Sequence, residues 1–190
     1  YNERCSYRES LGFCQSFCCA MMRLLKILTF ILCLSSTLSC IYDGPLTKED
    51  IKVGDIIPDF SVEMFDGTTM TGEYLRKGVS VIMFFHTGCP DCAATLPEVQ
   101  KIYDEYFPQQ VKFAVISREE GKETIDHFWK ANSLTLPYSA QSDRTVYNLF
   151  ADSRIPRVYI CLDGIIKAVF TDEPNNPTSG DIRSVLEGLI

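Results

Sequence analysis

The pattern of apolar and polar positions divides the chain into short, well-bounded elements. Residues 79–85, VSVIMFF, form a nearly unbroken apolar run. A run this short, rich in β-branched and aromatic side chains, predicts a central strand covered on both faces. Downstream, Leu96, Val99, Ile102 or Tyr103, and Tyr106 recur every three or four positions, which predicts a helix over residues 89–106 with one apolar stripe. Pro97 inside it removes a backbone donor and predicts a kink. Residues 111–116, VKFAVI, read as a second buried strand, parallel to the first where a helix crosses between them.

Further helices are predicted over residues 119–130, with Ile125, Phe128 and Trp129 inward, and over 143–150, with Val146, Tyr147, Leu149 and Phe150. Strands 157–162 and 165–170, joined through Asp163-Gly164, make the clearest hairpin. A smaller hairpin pairs 59–64 with 68–70 across Asp66-Gly67, after which Thr71 can cap a helical turn through Leu75. A last helix, 181–189, presents Ile182, Val185, Leu186 and Leu189. The order is that of an α/β sandwich, one sheet with helices on both faces.

Composition changes the picture at the N-terminal end. Six of the nine cysteines fall in residues 1–40, which hold no aspartate. Within residues 21–39, basic Arg23 and Lys26 precede an apolar section from Ile27 to Leu34 and then Ser35, Ser36 and Thr37. That is the order of a secretory signal, interrupted too early for a spanning helix of about 20 apolar residues. Thr37-Leu38-Ser39-Cys40 resembles the processing box of bacterial lipoproteins, although that pattern prefers leucine at position 37. The resemblance implies a lipid on Cys40, holding the protein at a membrane surface. Residues 40–50 then read as a lipid-anchored tether and 51–190 as the folded domain. Residues 1–20 precede the signal and are expected to be an upstream extension foreign to the native protein, so Cys5, Cys14, Cys18 and Cys19 are set aside. Residues 1–39 hold four basic and two acidic side chains; without them 14 cationic and 23 anionic ones remain, a net charge of −9. Such a surface argues against nucleic-acid binding.

The remaining chemistry concentrates at Cys89-Pro90-Asp91-Cys92, where the buried strand turns into a helix. Unpaired amides of a first helical turn favour a thiolate on Cys89, and the three-residue offset lets Cys92 reach it. A depression of about two pKa units corresponds to roughly 2.7 kcal/mol of thiolate stabilisation. Pro90 suits a first turn because it has no amide hydrogen. Asp91 is favoured there by its charge but opposes a neighbouring thiolate. Two other readings of a lone CxxC stay open. A zinc site would need further ligands from Cys161, His86, His127 or Cys40, whose spacing matches no tight module. A structural disulfide would close a short loop that constrains the unfolded chain little.

The ordered set VGDIIPDF from Val53, Asp66-Gly67, VIMFFHTGCPDC from Val81, Leu96-Pro97, and Ile155-Pro156 before VYI resembles the thioredoxin superfamily. It resembles in particular the extracytoplasmic lipoprotein and TlpA/ResA-like branch, which shares its opening with the AhpC/TSA peroxiredoxins. The resemblance covers nearly all of residues 50–190. It implies a thioredoxin-like three-layer sandwich with a central mixed β-sheet, helices on both faces and an N-terminal β-hairpin. It also implies Cys89 as attacking and Cys92 as resolving cysteine, and Pro156 as a cis proline facing them. Ile155 would then offer backbone bonds to a bound client strand.

Gly88 stands where tryptophan is usual, opening the rim of the substrate site. Thr95 replaces a glutamate common in the TlpA-like branch, and Met83 sits near the buried aspartate of classical thioredoxins. Deprotonation of Cys92 is therefore assigned to water, Thr95 or Glu98, with His86 as a further acid-base candidate. Arg154 and Arg157 flank the proline loop and could steer acidic substrates or stabilise a thiolate. Trp129 and Cys161 read as core. The implied activity is thiol-disulfide exchange with exported proteins, in the reducing direction, in a periplasm-facing cell-envelope location. Electrons would come from a membrane relay, and no soluble cofactor or metal is expected. The alternatives are a thiol peroxidase, whose signature would need proline at position 82 and threonine or serine at 86 where Ile82 and His86 stand, and a non-catalytic binding protein.

Overall fold

The computed structural model describes residues 49–190. The upstream extension, the signal, Cys40 and the tether up to residue 48 lie outside the described residues. The sheet is built around β3, Val79–Phe85, the strand expected from its apolar run. Five strands lie in the order β5-β4-β3-β6-β7. β3 pairs in parallel with β4 (Lys112–Ser117), Val81 opposite Phe113, and antiparallel with β6 (Arg157–Leu162), Ile82 opposite Tyr159. β7 (Ile165–Phe170) closes one side antiparallel to β6, with an irregularity between Ile160 and Cys161. The backbone from Gly54 to Ile57 bonds along β7, covering that edge. On the other side a short β5, Tyr138–Ser139, pairs in parallel with β4. Two residues beside Pro137 carry no alternation by which a sequence could announce them.

Alternation along β3 sends Phe84 and Phe85 to opposite faces, and each seeds a core. Phe84 meets Tyr147, Phe150 and Tyr159; Phe85 tilts against Trp129, ring centroids 5.0 Å apart. Helix α2, Pro90–Tyr106, lies on the Phe85 side, where Tyr103 is edge-on to Phe113. Trp129 belongs to α3, Lys122–Ala131, so the crossovers into β4 and β5 leave their helices on one face, as right-handed connections require. On the Phe84 side lie the single turn α1, Gly72–Leu75, and a 3₁₀ turn at Tyr147–Leu149. The N-terminal hairpin pairs β1, Ser61–Glu63, with β2, Thr69–Thr71. Thr71 caps α1 by accepting from the Tyr74 amide. The last helix, α4, Ser179–Leu186, packs against α2 and β6.

The larger departures from the expected boundaries have local reasons. The helix expected from residue 119 starts at Lys122, because Glu119 has the left-handed φ of 61° and the Glu119 and Glu120 amides are bonded to Asp143 O and Gln141 O of the neighbouring loop. The helix expected over 143–150 is only a 3₁₀ turn. There the Asp143 side chain captures the Thr145 amide at 2.7 Å, a turn that competes with helix. α4 starts two residues early because Thr178 and Asp181 form a capping box.

Candidate active site

β3 delivers the chain to the turn that carries Cys89 and Cys92. The Cys89 amide donates to His86 O at 3.0 Å, closing the turn, and Cys89 is then the N-cap of α2, with Pro90 as its first residue. The two thiols differ sharply in access: Cys89 is half-buried, whereas Cys92, one turn on, is fully buried. Burial pushes the Cys92 thiol far above its ordinary range, and the nearby Cys89 adds to the rise; a hydrogen bond from the His86 backbone and the positive charge of Arg118 pull the other way.

Facing the pair is the loop before β6. The Ile155–Pro156 peptide is cis, and the Cys89 thiol lies 3.6 Å from Ile155 O, to which it donates. The Tyr147 hydroxyl holds this loop by donating to Arg154 O at 2.7 Å, beneath an Arg154 whose φ is +70°. An open cleft of about 420 Å³ runs over the cysteine, lined by His86, Gly88, Cys89, Arg118, Arg154 and Ile155.

His86 and Gly88 form one unit. The Gly88 amide donates to His86 Nδ1 at 3.0 Å, which leaves the hydrogen of the neutral ring on Nε2. A Cβ at position 88 would stand 3.2 Å from both Cε1 and Nδ1 of that ring. The imidazole thus occupies the space a larger residue at 88 would need. Behind it lies Glu120, whose side chain is 4% exposed. One carboxylate oxygen accepts the Thr87 amide at 2.8 Å and the other the Thr87 hydroxyl, while His86 Nδ1 is 3.9 Å away.

The other expected residues are placed as follows. Thr95 is buried on the face of α2 that carries Cys92, its hydroxyl without a hydrogen-bond partner. Glu98 ties α2 to α4: Lys101 at 2.5 Å and the Ser179 amide at 2.9 Å hold its carboxyl down to about 2. Asp91 accepts from Asn176 Nδ2 at 3.0 Å. Arg154 lines the cleft with its charge engaged by Glu173 at 2.6 Å and Asp172 at 3.7 Å. Arg157 is 6% exposed and turned away towards Asp50. Cys161 is fully buried in β6, and burial pushes its thiol up to about 12, opposed by the Ser80 side chain. Among the described residues no group of His, Cys, Asp and Glu could hold a metal ion, and no helix is long and apolar enough to cross a membrane.

Residues 53–168, more than half of the chain, match the AhpC/TSA family. The chain belongs to the AhpC/TSA family. Among curated relatives, thiol-disulfide oxidoreductase ResA of Oceanobacillus iheyensis is 27% identical over 151 residues, covering 75% of this chain and 70% of that protein. Sporulation thiol-disulfide oxidoreductase A of Bacillus subtilis is 29% identical over 99 residues, 48% of this chain and 60% of that protein. In fold, a putative protein disulfide isomerase from Bacteroides thetaiotaomicron superposes with a TM-score of 0.65 at 22% identity, covering 72% of this chain and 87% of its own. A putative thiol:disulfide interchange protein DsbE from Chlorobium tepidum gives 0.65 at 12% identity, covering 74% and 99%. These structural neighbours carry the thioredoxin-like fold.

Two residues beside the dithiol of this AhpC/TSA family member escape sequence reasoning. Arg118 follows β4; its amide donates to Phe85 O at 2.8 Å and its guanidinium lies 5.4 Å above the Tyr147 ring. Glu120 was hidden because Glu-Glu before Gly121 reads as the charged start of a helix. The only sequence cue is that both residues follow directly on a buried strand parallel to β3 and so come out beside its carboxyl end.

Proposed function

We propose that this AhpC/TSA family member is a thiol-disulfide oxidoreductase that reduces disulfides of exported proteins through Cys89 and Cys92. The observation carrying the reading is the unequal access of the two thiols. Cys89 opens into a cleft beside Ile155 O, and Cys92 is sealed one turn below it. The sulfur that opens into the cleft meets the client; the buried one meets only its neighbour.

In the reducing direction the Cys89 thiolate attacks one sulfur of the client disulfide. The S–S bond breaks, a mixed disulfide forms, and the expelled client thiolate takes a proton. Cys92 then gives up its proton and attacks the Cys89 sulfur, expelling the second client thiolate, which is protonated in turn. Two electrons and two protons pass to the client, and a Cys89–Cys92 disulfide remains. His86, a lining residue of the cleft, offers its Nε2–H as a hydrogen-bond donor to the departing client sulfur, which takes its proton from water. Ile155 offers its backbone to the client strand, Pro156 shapes that edge, and Gly88 leaves the rim low. Pro90 and Asp91 complete the first turn, while Thr95 lies on the path by which the Cys92 proton leaves; Glu98, bonded to Lys101 and Ser179, holds α2 in place.

The signal over residues 21–39 and a lipid on Cys40 would place the domain on the periplasm-facing side of an envelope membrane, where a membrane electron relay re-reduces the disulfide. The names of the ResA-type relatives support the activity. The test is trapping: Cys92→Ala should accumulate a mixed disulfide with client protein through Cys89, and Cys89→Ala should accumulate none. No covalent partner under conditions where the wild type turns over removes the proposed route, and peroxide-dependent thiol loss faster than that of free cysteine replaces it with a peroxidase.

A further inference from the structure

The loop that carries Ile155 is held from outside the cleft by a side chain at the very start of the domain. Asp50 Oδ1 accepts the Asp152 amide at 2.8 Å, and its Oδ2 accepts from Arg157 Nη2. Arg157 Nε donates at 3.2 Å to Ser153 O, and the neighbouring Ile51 amide donates to Phe150 O at 2.7 Å. Backbone groups of residues 150, 152 and 153 are therefore all bonded to residues 50, 51 and 157. The next residues are Arg154, with its left-handed backbone, and Ile155, whose carbonyl receives the Cys89 thiol.

The guanidinium of Arg157 is nearly sealed, its side chain 8% exposed against 37% for Asp50. A buried guanidinium deprived of its carboxylate must find other acceptors, and the ones at hand are the carbonyls of the same loop. Any such search displaces residues 152–155, and with them the edge on which a client strand would lie.

We infer that Asp50 is a positioning residue for client binding: through its ion pair with Arg157 and its bond to the Asp152 amide it sets the Ile155–Pro156 edge at the distance from Cys89 that a client cysteine requires. This rests on the thiol-disulfide exchange proposed above. It goes beyond that reading because Asp50 lies outside the cleft and reaches no sulfur itself. A loop that is merely misplaced weakens the docking of an extended strand more than it slows the chemistry at a thiol already open to the cleft.

The experiment uses the full chain and two disulfides: a peptide with a disulfide-bonded cysteine, turned over with dithiothreitol as electron donor, and, in a single turnover of the pre-reduced protein, the small reagent 5,5′-dithiobis(2-nitrobenzoate), which is too short to lie along the loop. In Asp50→Asn the charge opposite Arg157 is lost and one of the two donors, Arg157 or the Asp152 amide, loses its acceptor, and the KM for the peptide should rise about tenfold while kcat falls less than about threefold. Arg157→Gln should do the same, and the double variant should be no worse than either single one, since both break one pair. Consumption of the small reagent should fall no further than kcat. Asp50→Glu, which keeps the charge on a longer arm and puts folding less at risk, should give an intermediate KM. An unchanged KM in folded Asp50→Asn, additive losses in the double variant, or an equal loss on both disulfides overturns the inference. A wild type that reduces neither disulfide overturns the oxidoreductase reading itself and takes this inference with it.

Discussion

Replacing Glu120 by alanine is the most demanding test of the active-site turn. The carboxylate accepts both the amide and the hydroxyl of Thr87 from a nearly sealed position. Its removal leaves two donors without acceptors, at about 1–3 kcal/mol each when buried. Against this stands the desolvation cost that the native carboxylate bears and alanine does not. The net destabilisation expected is about 2–4 kcal/mol. In a domain of this size that lowers the unfolding midpoint by roughly 10 °C. Glutamine keeps an acceptor oxygen for the amide and can donate to the hydroxyl, so Glu120→Gln should lose about 1 kcal/mol or less. Because Thr87 lies between His86 and Gly88, Glu120→Ala should also slow disulfide exchange about tenfold through a loosened turn. Thermal unfolding followed by circular dichroism, with exchange measured at a temperature where both variants are folded, checks both parts. An alanine variant within about 0.5 kcal/mol of wild type and equally active would refute the assignment.

Three further outcomes follow from the same geometry. The buried thiols of Cys92 and Cys161 ionise less readily in the folded than in the unfolded chain, so the stability of the reduced protein is full below the unfolded thiol pKa and falls above about pH 9. The slope should approach about 2.7 kcal/mol per pH unit for two such groups, and urea midpoints at pH 8, 9 and 10 that stay level would contradict it. Gly88→Ala should cost about 0.5–1 kcal/mol in wild type, because its Cβ meets the His86 ring; in a His86→Ala background the cost should vanish, and equal costs in both backgrounds would count against that contact. Arg118→Gln removes the positive charge that favours ionisation of Cys92 and should lengthen the life of the mixed disulfide severalfold in quenched-flow trapping, with Arg118→Lys restoring most of the rate; an unchanged lifetime would remove Arg118 from the resolving step.

Much of the fold was legible because its signals are local. β3, β6 and β7 have the bounds their apolar runs predict, and α2 begins one residue after the expected start, at a proline suited to a first turn. The elements that misled are those whose backbone bonds are made elsewhere. Residues 119–121 look helical but are committed to the neighbouring loop through Glu120 N and Gln141 O. β5 is a strand only because β4 offers it an edge.

The same division runs through the site. The spacing of Cys89 and Cys92 at a strand-to-helix turn is a property of contiguous residues, so the sequence by itself determined that two sulfurs would meet at a helix start. It also determined that β3 would be buried on both faces, because no polar side chain interrupts residues 81–85. Only the tertiary structure decided that Glu120 would sit beneath Thr87, that Arg118 would share the cleft, and that Asp50 would reach Arg157, more than a hundred positions along the chain. These are meetings of charged side chains whose burial depends on partners far away in sequence, and a charge carries no mark of its partner until the chain has folded around both.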